Sequence, residues 1–63
     1  MSARIRILEA LERRRVPATV ALLAWEIDAP PSTVRHVLSE LVELGAAMRT
    51  KPAGAYRYEL VRR

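Results

Sequence analysis

The sequence predicts a mainly helical α+β fold, three short helices followed by a two-stranded hairpin. Three observations carry that reading. Apolar residues recur at helical spacing from the start of the chain to Leu44. Prolines, hydroxyl-bearing caps and a glycine cut this stretch into three pieces. After Gly45 the period changes to alternation around a proline- and glycine-containing turn.

The first helix is expected from Ser2, its cap, to about Arg15, with Ile7, Leu8 and Leu11 on one face. Val16-Pro17 stops it, because proline disfavours helical geometry in the residue before it. Thr19 caps a second helix to about Ile27, which turns Val20, Leu23, Ala24 and Ile27 to one side. Asp28-Ala29-Pro30-Pro31 makes a tight connection, and Pro31 suits the first position of a third helix. That helix runs from Pro31 to about Leu44. Pro31, Val34, Val37, Leu38, Leu41, Val42 and Leu44 fall within about 80° of Val34. The opposite arc holds Ser32, Thr33, Arg35, His36, Ser39, Glu40 and Glu43, with no apolar member. Gly45 ends the helix. Residues 46–50 and 55–61 then read as strands around the turn 51–54. Tyr56, Tyr58 and Leu60 form an apolar face expected to cover the helices.

Composition narrows the function. Sixty-three residues suit one domain over 1–63, and 51% apolar residues suit an efficient small core. Without cysteine, neither a disulfide nor a thiolate metal site is available, and His36 alone makes no zinc site. No metal or cofactor is expected, and no small-molecule ligand is evident. No run reaches the ~18 apolar residues of a membrane span, so a cytoplasmic, nucleoid-associated protein is the expectation. No nucleophile sits beside a base and no glycine loop cradles phosphate, so enzymatic function is not expected.

The net charge of +4 favours a polyanion, but it is unevenly spread. Residues 1–15 carry Arg4, Arg6, Arg13, Arg14 and Arg15 against Glu9 and Glu12, a net of +3. Residues 16–48 carry Arg35 against Glu26, Asp28, Glu40 and Glu43, a net of −3. Residues 49–63 carry Arg49, Lys51, Arg57, Arg62 and Arg63 against Glu59, a net of +4. The ends are basic and the middle acidic.

Thr19, the pair Leu23-Ala24, the turn, Ser32-Thr33-Val34-Arg35 and a leucine-rich helix ending in Leu44-Gly45 resemble the helix-turn-helix of bacterial winged-helix transcription regulators. Gly54-Ala55-Tyr56-Arg57-Tyr58-Glu59-Leu60 is similar to the returning strand of their wing. The likeness extends to FaeA-like and GntR-type DNA-binding domains, small stand-alone ones included. It implies a winged helix-turn-helix fold with a very short extra strand around residues 16–18. It also implies double-stranded DNA as partner, the third helix in the major groove and the wing on backbone or minor groove. Carried over position by position, it singles out Ser32, Thr33, Arg35 and His36 on the helix, and Arg49, Lys51 and Arg57 on the wing; Ser39, on the same outer arc, is a further candidate contact.

The chemistry is compatible. Arginine bonds bidentately to guanine O6 and N7, whereas the chain has neither asparagine nor glutamine, the usual adenine readers. Each assignment has a plainer competitor. Ser32 and Thr33 also satisfy free N–H groups at a helix start, and basic residues on a hairpin also guard an edge against aggregation. Arg13 to Arg15 suit a helix C-terminus electrostatically. Two features depart from the pattern. Glu40 and Glu43 share the outer face with Arg35, and Leu22 and Trp25 point off the core face. Trp25 either folds over the first helix or forms a contact surface. A winged domain that binds protein through Leu22 and Trp25 is therefore the alternative function, with a homodimer or a co-regulator as partner. Repression and activation are both open.

Overall fold

The computed structural model describes residues 2–14, 16–51 and 54–61. Helix α1 spans Ala3–Arg13, strand β1 Ala18–Thr19, α2 Val20–Ile27, α3 Pro31–Glu43, β2 Ala47–Thr50 and β3 Arg57–Leu60. The strands form one antiparallel sheet in the order β1-β3-β2, so the last strand lies in the middle. This is the winged helix-turn-helix arrangement that the resemblance implies, and the short extra strand pairs with the hairpin as expected, over Ala18–Thr19 rather than residues 16–18.

Local chemistry explains the boundaries. Ser2 Oγ accepts from Ile5 N–H at 3.3 Å and Thr19 Oγ1 from Leu22 N–H at 3.2 Å, each satisfying one donor that a helix start leaves free. Asp28 closes α2 in a left-handed conformation, φ 55°, which a short polar side chain tolerates. Pro30 and Pro31 then open α3, where no side chain caps the first turn. At its other end Gly45 takes φ 77°. There Ala46 N–H donates to the Leu41 carbonyl at 2.9 Å and Gly45 N–H to that of Val42 at 3.0 Å. This pair of bonds is the Schellman closure that glycine permits without steric cost.

The core joins Ile7, Ala10 and Leu11 of α1, Leu23, Ala24 and Ile27 of α2, and Val34, Val37, Leu38 and Leu41 of α3, with Ala18, Ala47 and Tyr58 from the sheet. Several expectations are corrected at its margins. Leu44 is 70% exposed, because it caps α3 just beyond its last helical residue, although its angular position is apolar. Pro31 is exposed at the opposite end of α3. Tyr58 is buried but Tyr56 is 43% exposed, since the inner face of the hairpin continues past the helices. Trp25 stands 79% exposed rather than folded over α1, with Leu22 partly exposed near it. Helix α1 ends at Arg13, and Arg14 is already extended. The expected helical end at Arg15, the turn residues Pro52 and Ala53, and the terminal pair Arg62-Arg63 lie outside the described residues.

Candidate nucleic-acid interface

Ion pairing sorts the charges into two populations. Arg13 reaches Glu26 Oε2 at 3.1 Å while Arg14 holds Glu26 Oε1, so the last residue of α1 and the one just beyond it clasp one carboxylate of α2. The Arg14 hydrogen bond, reinforced by Arg13, holds the Glu26 carboxyl below the usual carboxylate range despite the opposing effect of its burial. Arg4 reaches Glu40 Oε1 at 3.1 Å and ties α1 to α3. His36 Nε2 lies 3.9 Å from the other oxygen of Glu40. Of the two glutamates on the outer arc of α3, Glu40 is thus paired with α1, whereas Glu43 has no ion pair among the described residues. The first two arginines of the Arg13-Arg14-Arg15 run join α1 to α2, a stronger structural role than a favourable helix end.

Among the described residues, Arg6, Arg35, Arg49, Lys51 and Arg57 have no carboxylate within ion-pair distance. Four of these five lie on α3 and the hairpin.

Sheet register decides which of these cations act together. Side chains opposite each other across a ladder share a face, and alternate residues switch faces. Arg49 is opposite Tyr58, whose ring enters the core, so Arg49 belongs to the inner face, as do Lys51 and Tyr56 by parity. Arg57 is opposite Thr50 and Thr19 on the other face. The three wing cations grouped by sequence therefore divide, two inward and one outward. Arg49 Cζ lies 4.7 Å and Lys51 Nζ 5.2 Å from the centre of the Tyr56 ring. Both distances are within the range of cation–π attraction.

Between this inner face and the helices runs an open groove of about 660 Å³. Val20 and Ala21 of α2, Pro31 and Arg35 of α3, and Tyr56 and Tyr58 of the hairpin line it. Arg35 thus faces the same space as the wing. Ser32, His36 and Ser39 are exposed on the outer side of α3, and Thr33 is half-buried. Leu22 and Trp25 do not border the groove.

Sequence reasoning missed Tyr56, taken for a core residue, and Arg4. Parity offered a signal for the tyrosine, because positions 49, 51, 56 and 58 must share one face once 47 and 60 pair. No local pattern announces Arg4–Glu40, whose partners are 36 residues apart.

No helix among the described residues is long and apolar enough to cross a membrane. In comparison with known proteins, residues 5–50 match the IclR helix-turn-helix domain, nearly three-quarters of the chain. No curated protein matches it.

Proposed function

This chain belongs to the family of IclR helix-turn-helix domains, DNA-binding domains of transcription regulators, and we propose that it recognises duplex DNA with α3 in the major groove and the hairpin as a two-sided wing. One observation supports this most. Among the described residues, four of the five cations without a carboxylate partner lie on α3 and the wing, while Glu40 of α3 is held by Arg4 of α1. Phosphate neutralisation supplies most non-specific affinity. Arg49 and Lys51 on one face and Arg57 on the other suit a wing that enters edge-on between two backbone strands.

Base reading centres on Arg35, a bidentate partner for guanine, with Ser32, Thr33, His36 and Ser39 as supporting contacts. The domain acts in the cytoplasm by occupying a promoter rather than by chemistry. Two fluorescent duplexes, one guanine-rich and one guanine-free in the contacted half, test this. Arg35→Ala is expected to erase a preference of about 1–3 kcal/mol for the first duplex. An unchanged preference would remove Arg35 from base reading, and no binding to either duplex at low salt would refute the proposal.

The exposure of Trp25 favours a second contact, with a further copy of this chain. One module with a single arginine reader makes few base contacts, and a dimer doubles them. Sedimentation of the free and DNA-bound protein, with Trp25→Ala beside it, tests that reading. A monomer on DNA in both cases would exclude it.

A further inference from the structure

Tyr56 has no place in the apolar core and no evident role in reading bases, yet two cations converge on it. Its ring is part of the groove wall, beside the space that Arg35 faces. The distances of 4.7 Å and 5.2 Å to the ring centre keep the Arg49 and Lys51 charges within about 10 Å of each other. Two like charges on an exposed hairpin would otherwise separate into solvent. Holding them together opposes their mutual repulsion. The arrangement leaves both cations on the inner face of the wing with no carboxylate partner among the described residues.

We propose that Tyr56 is a positioning residue, whose ring orders Arg49 and Lys51 to meet a phosphodiester backbone at the inner face of the wing. The inference rests on the DNA-binding reading of the wing and adds a residue to it. Free lysine and arginine side chains lose rotamer freedom when an interface fixes them, roughly 0.5–1.5 kcal/mol each. That loss corresponds to about 2- to 12-fold in affinity for each side chain. With both already held against the ring, much of the ordering is done before DNA arrives. The ring itself needs no hydrogen bond for this, so phenylalanine should serve as well as tyrosine.

A labelled duplex of random sequence, titrated at fixed salt and then across a salt series, separates the possibilities. Tyr56→Phe is expected to bind as the parent does. Tyr56→Leu is expected to bind about tenfold more weakly with an unchanged salt slope, because the charges remain and only their ordering is lost. In an Arg49→Ala/Lys51→Ala background, Tyr56→Leu should have no further effect. Equal weakening in both backgrounds would assign Tyr56 a merely structural role and overturn the inference. Full affinity of Tyr56→Leu, with weak binding by the double variant, would overturn it while leaving the wing in contact with DNA. Full affinity of the double variant would overturn the wing reading itself. Should Tyr56→Leu fail to fold, proton chemical shifts of the parent decide. Upfield ring-current shifts of the Arg49 δ and Lys51 ε protons are expected, and their absence refutes the stacked arrangement.

Discussion

Removing individual cations from the wing should change the salt dependence of DNA binding by amounts that follow from the ion-pair pattern. For B-DNA the slope of log K against log salt is about −0.9 for each phosphate neutralised. Among the described residues, Arg35, Arg49, Lys51 and Arg57 are the unpaired cations of α3 and the wing. If each meets one phosphate or its equivalent, the parent slope is about −3.6, a loss of roughly 150-fold between 50 and 200 mM salt. Arg49→Gln/Lys51→Gln should halve the slope, and Arg57→Gln should reduce it by about 0.9. Arg13→Gln is the matched control. It also removes one positive charge, but that charge is spent on Glu26 at 3.1 Å. Fluorescence anisotropy of a labelled duplex over that salt range reads all four proteins. The reasoning fails if Arg13→Gln lowers the slope as much as a single wing substitution does. It also fails if the double variant keeps the parent slope.

Three further outcomes concern stability. The lowered carboxyl of Glu26 contributes stability fully above the ordinary carboxylate range, and that contribution is lost as pH falls through its own lower pKa. Glu26→Gln should cost about 1 kcal/mol near neutral pH, and the gap between the melting temperatures of the two proteins should close as the solution is acidified. Leu38→Ala empties a fully buried site between the helices and should cost about 2–5 kcal/mol by chemical denaturation. For a chain of this size that is enough to populate the unfolded state. Gly45→Ala has open space for its methyl group, yet the left-handed backbone at φ 77° should still cost roughly 1–2 kcal/mol, visible as a lower melting temperature.

The helices were legible in the sequence because their punctuation is local. Ser2, Thr19, Pro31 and Gly45 each act on the turn beside them, and the observed ends fall within two residues of the expected ones. The sheet was legible as to faces but not as to extent. Alternation places Tyr56 with Tyr58, whereas only the packed helices determine that the core stops at Tyr58. Leu44 failed for the same reason, since a helical projection gives direction and says nothing of what lies opposite. The candidate site divides similarly. Arg35, Arg49, Lys51 and Arg57 stand out by type and position, but their lack of carboxylate partners does not. That property depends on Arg4, Arg13 and Arg14 engaging Glu26 and Glu40 across 12 to 36 residues of chain. The outward Trp25 was equally undecidable, because burial over α1 required a packing geometry that no local rule supplies.

The central place of β3 has a consequence for how the molecule comes into being. Ala18 pairs with Tyr58 and Ala47 with Leu60, so both outer strands wait for the same late segment. During synthesis all three helices and β2 emerge before it, carrying an apolar surface that nothing yet covers. Contacts spanning 40 residues must then close together, which favours a single concerted step over gradual accretion. The newborn chain should therefore stay unstructured, and vulnerable to proteases, until residues 57–60 have cleared the ribosome.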